Sequence, residues 1–131
     1  MPVSDRILIV EDDNDLRDLL RLVLMDEGFE VETCANGKLA TEKLEAEKHQ
    51  TGDKGLPAMV ILDLNMPVMD GWQVAKWLDA DPVLRDIPVI VTSATREQGE
   101  KAKALHADAF LVKPFSTDEI LGVVELFSLL G

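Results

Sequence analysis

The sequence predicts a doubly wound α/β domain: a five-stranded parallel sheet with helices on both faces. Three observations carry that expectation. Five short strand-like runs recur along 131 residues, four of them almost wholly apolar, as strands buried on both faces are. Each is followed by a segment with helical spacing or helix-forming composition, which favours crossover connections and hence a parallel sheet. Chemistry-bearing side chains then stand just after four of the runs, at the strand ends where such sheets bind ligands.

The elements follow in order. Arg6 to Val10 is the first strand. Glu11-Asp12-Asp13-Asn14-Asp15 ends it and starts a helix, on which Leu16, Leu19, Leu20, Val23 and Leu24 form one apolar stripe. Gly28 stops that helix, and Phe29–Cys34 is the second strand. Asn36-Gly37 turns the chain into a helix from Lys38 to about Lys48, and Gln50 to Gly55 reads as a flexible loop. Ala58–Leu62 is the third strand, ending at Asp63.

Asp70-Gly71 opens a helix carrying Trp72, Val74, Ala75, Trp77 and Leu78, which Asp81-Pro82 breaks. Pro88–Thr92 is the fourth strand, Glu97–Leu105 a short helix and Ala109–Val112 the fifth strand. Ser116, with Glu119 three residues later, makes a capping box for a last helix from about Thr117 to Leu130. Residues 1–131 are therefore expected to form one domain.

A net charge of −12 argues against nonspecific binding to nucleic acid or to an anionic membrane, and suits a basic partner or a divalent cation. Cys34 stands alone, so neither a disulfide frame nor a cysteine metal site is expected. No charged start precedes an apolar stretch and no apolar run approaches membrane-spanning length, so a cytoplasmic setting is expected.

The first strand ends in Glu11-Asp12, the third in Asp63, the fourth in Thr92-Ser93 and the fifth in Lys113. Under the strand order 2-1-3-4-5 the first and third strands are neighbours, about 4.8 Å apart, and their three acids share one pocket. Carboxylates that close repel unless a cation joins them, and Mg²⁺, an oxygen-seeking ion, fits better than zinc. Each residue alone has a plainer explanation. An acidic run favours a helix N-terminus, a lone hydroxyl usually bonds local backbone and a lone lysine is usually solvated. Their joint occurrence at the same end of four strands outweighs those explanations.

These residues resemble the receiver domain of two-component response regulators, of the single-domain chemotaxis type. The matching pieces are Ile7-Leu8-Ile9-Val10-Glu11-Asp12, Asp63-Leu64-Asn65-Met66-Pro67 with Asp70-Gly71, Pro88 through Ala94, and Phe110-Leu111-Val112-Lys113-Pro114-Phe115. The resemblance covers the whole chain and implies a flavodoxin-like (βα)5 fold.

It further implies that Asp63 accepts a phosphoryl group from a histidine kinase or a histidine phosphotransfer protein. Asp12 and Asp63 would hold Mg²⁺ through side chains, Asn65 through its backbone carbonyl and Glu11 through water. Lys113 would pair with the phosphoryl oxygens. Ser93 would be the hydroxyl that moves inward and Phe110 the aromatic switch, with Thr92 pointing elsewhere. Lys113-Pro114 is a candidate cis bond. Without an output domain of its own, the chain would present a changed surface to a downstream protein.

The sequence departs from the family at a few points. Ser93 replaces the commoner Thr, the stretch from Ser93 to Lys113 is about two residues short, and His106-Ala107-Asp108 stands where Gly-Ala-Asp is usual. A shortened or redrawn fourth helix is expected, with consequences for Phe110. In the last helix Ile120, Leu121, Val123, Val124, Leu126, Phe127, Leu129 and Leu130 leave little polar circumference, which suggests a homodimer or partner face.

Overall fold

The structure, a computed structural model, describes residues 6–49 and 55–130. The expected loop at Gln50–Gly55 lies, Gly55 apart, outside the described residues. Strands and helices alternate: β1 (Arg6–Val10), α1 (Asn14–Asp26), β2 (Glu30–Cys34), α2 (Gly37–Glu47), β3 (Met59–Asp63), α3 (Gly71–Ala80), β4 (Val89–Ser93), α4 (Arg96–Leu105), β5 (Ala109–Val112) and α5 (Thr117–Leu130). The strands form a parallel sheet in the order β2-β1-β3-β4-β5, as expected from the sequence. Crossing from β1 to β3 reverses the direction of winding, and the carboxyl ends of those two strands become the walls of a crevice.

Two-residue alternation along the strands sorts the core into halves. Leu8, Val10, Val60, Leu62 and Val91 face Ala40 and Leu44 of α2, Val74, Ala75 and Leu78 of α3, and Ala102 of α4. Ile7, Ile9, Met59, Ile61, Ile90 and Leu111 face Leu20 and Leu24 of α1 with Ile120 and Val124 of α5. Polar side chains start the helices. Asp13, Asn36, Asp70 and Thr95 each accept a backbone N–H at an N-terminus, and Ser116 and Glu119 exchange the expected pair of capping bonds.

Several expectations need correction. β3 and β4 each extend one residue further, through Asp63 and Ser93, because the ladder continues: Asp63 is in register with Thr92 and Leu64 N–H donates to the Thr92 carbonyl. Phe29 and Pro88 precede their strands, and α4 starts at Arg96. On α1 the stripe is narrower than expected: Leu20 and Leu24 are buried, but Leu19 is 54% exposed and points away from the sheet.

The last helix is also less unpartnered than its composition suggested. Ile120 and Val124 are buried, and Leu121, Val123 and Phe127 pack against the same core half. Leu126 is its exposed large apolar side chain among the described residues. At the end of α4, His106 takes φ −145°, so this turn does not require the left-handed conformation that a glycine would favour. His106 Nδ1 lies 3.1 Å from Asp79 Oδ2, tying the ends of α4 and α3 together.

Candidate functional site

The carboxyl ends of β1, β3 and β5 bring the expected side chains together. Glu11, Asp12 and Asp63 each offer a carboxylate oxygen within 4.8 Å of the others. Glu11 and Asp63 are 2% exposed, whereas Asp12 opens to solvent. Lys113 reaches across from the end of β5, its Nζ 3.0 Å from Glu11 Oε1 and 3.2 Å from Asp63 Oδ2. The Lys113-Pro114 bond is cis, as anticipated. The donors are all hard oxygens with a net negative surplus, a set compatible with Mg²⁺.

Local backbone positions each acid. Glu11 receives the Asp13 N–H at 3.1 Å, and Arg17 Nη1 donates to the Glu11 carbonyl at 2.9 Å. Asp63 Oδ1 accepts the Asn65 N–H at 3.1 Å. Behind Asp63, Gly71 at the start of α3 comes so near that a Cβ there would lie 2.2 Å from the Asp63 carbonyl oxygen and 2.6 Å from Leu64 Cα. No side chain other than hydrogen fits there. The intervening connection is tight: Met69 N–H donates to the Pro67 carbonyl at 2.8 Å around Val68, whose φ is +72°. This is a three-residue γ-turn with a β-branched residue in the left-handed region, a strained arrangement.

Burial and like charge act on the acids. Desolvation, assisted by the nearby Asp63 charge, pushes the Glu11 carboxyl up to about 7, against the opposing pull of the Asp13 N–H and Lys113. Burial alone would lower Lys113, but its hydrogen bond to Glu11 and the attraction of both acids prevail and hold it above the usual lysine value.

The remaining expected residues lie nearby but are otherwise engaged. Ser93 is fully buried and donates its hydroxyl to the Thr95 carbonyl at 2.7 Å. Thr92 Oγ1 is buried without a hydrogen-bond partner among the described residues. Phe110 is half-buried, its ring against Gly99 of α4 and 5.9 Å from the Arg96 guanidinium carbon. Asn65 is exposed at the mouth, where its Nδ2 donates to Gln98 Oε1 at 3.3 Å. Sequence reasoning passed over Arg17, Gly99 and Gln98 as functional neighbours, and took Gly71 only as part of the Asp70-Gly71 motif. For Gly71 a signal existed, a glycine directly after the N-cap Asp70.

A 2-1-3-4-5 sheet with this acid cluster at its crevice defines the receiver class of signalling domain. Residues 7–125 match the response regulator receiver domain family model, and the chain belongs to that family. It is 33% identical over 121 residues to the alkaline phosphatase synthesis transcriptional regulatory protein SphR of Synechococcus elongatus, covering 90% of this chain and 46% of that protein. The chain thus spans about half the length of this and several other curated regulators it matches.

Among solved structures, the chemotaxis response regulator CheY4 of Vibrio cholerae superposes with a TM-score of 0.82 at 28% identity, covering 95% of this chain and 99% of that one. The receiver domain of the Pseudomonas aeruginosa sensor histidine kinase PA1611 shares the fold at a TM-score of 0.78 and 22% identity, covering 96% and 98% of the two chains. That structure has a magnesium ion coordinated in its active site cleft. Among the described residues of the present chain, no helix is long and apolar enough to cross a membrane.

Proposed function

We propose that this receiver takes a phosphoryl group onto Asp63 from the phosphohistidine of a histidine kinase or histidine phosphotransfer protein, in a Mg²⁺-dependent reaction. The observation that carries the reading is the convergence of Glu11, Asp12 and Asp63 beside Lys113. An Asp63 oxygen attacks phosphorus; the O–P bond forms as the P–N bond breaks, and the bonding pair leaves with the imidazole nitrogen. Asp12 and Asp63 through their side chains, Asn65 through its backbone carbonyl and Glu11 through water would hold Mg²⁺. The ion, when bound, supplies neutralisation of charge on the phosphoryl oxygens.

Lys113 exchanges a contact with Glu11 or Asp63 for a phosphoryl oxygen and screens the acyl phosphate. Ser93 leaves the Thr95 carbonyl to donate to the phosphoryl group, and Phe110 rotates into the space vacated by that loop. The surface formed by α4, β5 and α5 changes, and a downstream protein reads it. A homodimer through α5 belongs to the same proposal, with Leu126 as its exposed apolar contact. So does a cytoplasmic location. Turnover of external phosphoesters does not, because Asn65 stands where a phosphohydrolase of similar architecture would carry its general acid.

Incubation with acetyl phosphate and Mg²⁺ tests the central claim by intact mass. Wild type is expected to gain one phosphoryl group, and Asp63→Asn none while keeping its circular dichroism. A wild-type protein that gains no phosphoryl mass and binds no beryllofluoride overturns the reading. For the dimer, light scattering over a concentration series with and without beryllofluoride should show association; a strict monomer in both states overturns it.

A further inference from the structure

Helix α4 is held from two sides by different contacts. On one side Gly99 and Ala102 are buried, and Phe110 lies so close that a Cβ on Gly99 would meet its ring at 2.2 Å. Arg96 extends over the same ring. On the other side Gln98 and Lys101, three residues apart and so on one helix edge, reach toward the β3–α3 connection. Gln98 accepts from the Asn65 amide at 3.3 Å, and Lys101 Nζ lies 5.8 Å from the Trp72 ring centre.

The second side leads directly to the acceptor. Asp63 Oδ1 accepts the Asn65 N–H, the Asn65 side chain donates to Gln98, and the Gln98 N–H donates to Thr95 Oγ1 at the helix N-cap. This is an unbroken hydrogen-bonded line from the acceptor carboxylate to the first turn of α4. Phe110 does not belong to it, and Ser93 meets it only at its far end, where the hydroxyl donates to the Thr95 carbonyl. When either oxygen of Asp63 is phosphorylated, the carboxylate loses its delocalised negative charge. A charge-assisted bond from the Asn65 N–H becomes an ordinary one, roughly half as strong. The Asn65 peptide is then free to shift, and its side chain carries the shift to Gln98.

We propose that Gln98 is a positioning residue that transmits the state of Asp63 to α4 along an edge other than the one Gly99 presents to Phe110. The inference rests on Asp63 being the acceptor. Trp72 is a built-in reporter, since it packs against the same helix edge and shares a groove with Thr95, Gln98 and Lys101.

The test uses the Trp77→Phe background, which leaves Trp72 as the remaining tryptophan, with Mg²⁺ and beryllofluoride as the probe. Fluorine NMR reports occupancy and Trp72 emission reports α4. Gln98→Leu and Gln98→Ala are each expected to bind beryllofluoride within about twofold of the starting midpoint, since a lone exposed amide bond is worth little. Both are expected to lose more than half of the emission change. Gln98→Glu, which can still accept from Asn65, restores it, and Phe110→Ala retains it.

A full emission change in Gln98→Leu and Gln98→Ala overturns the proposal, as does its loss in Phe110→Ala. Failure of the two Gln98 variants to bind beryllofluoride also overturns it, by placing Gln98 in the binding site itself. Absence of a bound fluorine signal in the unaltered protein overturns the acceptor reading on which the inference rests. The two failures are thereby distinguished.

Discussion

Two clusters of charge sit at opposite ends of β1, and they are built on different plans. At the amino end, among the described residues, Arg6 and Lys43 meet Glu32 and Glu47, two cations for two acids. At the carboxyl end Glu11, Asp12 and Asp63 share Lys113, three acids for one cation. Depth does not separate them greatly, since Glu47 is 8% exposed and Glu11 and Asp63 are 2% exposed.

Stoichiometry does. In the balanced cluster attraction offsets desolvation; Arg6 also donates to the Gly55 carbonyl, and a hydrogen bond to Glu47 is foremost in holding Lys43 above its usual pKa. In the unbalanced cluster desolvation prevails and raises Glu11. A buried ionic group can therefore serve the fold or await a ligand, and the local count of opposing charges distinguishes the two.

That contrast can be broken most forcefully at Lys113. Lys113→Met leaves Glu11 and Asp63 buried without a cation and is expected to cost about 3 kcal/mol in chelator, with part recovered on adding Mg²⁺; urea unfolding reads both. At the other end Glu47→Ala should cost about 2 kcal/mol, because two cations then face one acid. Phosphoryl uptake from acetyl phosphate should be unchanged. Equal loss of uptake in Glu47→Ala and Lys113→Met would erase the distinction.

Mg²⁺ at tenfold its dissociation constant should stabilise wild type by about 1.4 kcal/mol, and Asp12→Asn should lose most of that gain. Neutralising one of the crowded acids should have the reverse sign from Glu47→Ala: Asp63→Asn is expected to be more stable than wild type in chelator, by about 1 kcal/mol.

The pH profile tests the same contrast without a change of ligand. A folded-state pKa of about 7 for Glu11 lies above the ordinary value of 4.5, so the folded protein binds that proton more tightly. Metal-free stability should therefore rise as pH falls from above 7 toward 4.5, a slope that Glu11→Gln removes. Lys43 has linkage of the same sign in the alkaline range: its stabilisation is present below the ordinary lysine pKa and is lost as pH rises through the raised one. Chemical denaturation across pH, repeated with Lys43→Met, should separate the acidic and alkaline arms.

Much of this was legible in the sequence because local patterns carry it. Apolar runs gave the strands, and Glu11, Asp12, Asp63 and Lys113 stand at their ends, so the strand order alone brings them together. The errors came where tertiary context decides. Leu19 fits the helical spacing of the α1 stripe, yet it faces solvent beside Leu22, which is 58% exposed. In α5, Ile120, Leu121, Val123, Val124 and Phe127 pack into the core half shared with α1 while Leu126 stays exposed, a division that composition alone does not show. The amino-end cluster went unseen because Arg6, Glu32 and Glu47 lie on three separate elements, and only the i,i+4 pair of Lys43 and Glu47 has a sequence signature.

The contact between Gly71 and Asp63 has a mechanical consequence. With the first turn of α3 pressed against the Asp63 carbonyl, the backbone there has a backstop on that side and no room to recoil. The flank toward Ser93, Thr95 and α4 has no such backstop from Gly71. A fixed wall on one flank makes the opposite flank the moving part. A glycine thereby decides which flank of Asp63 can yield.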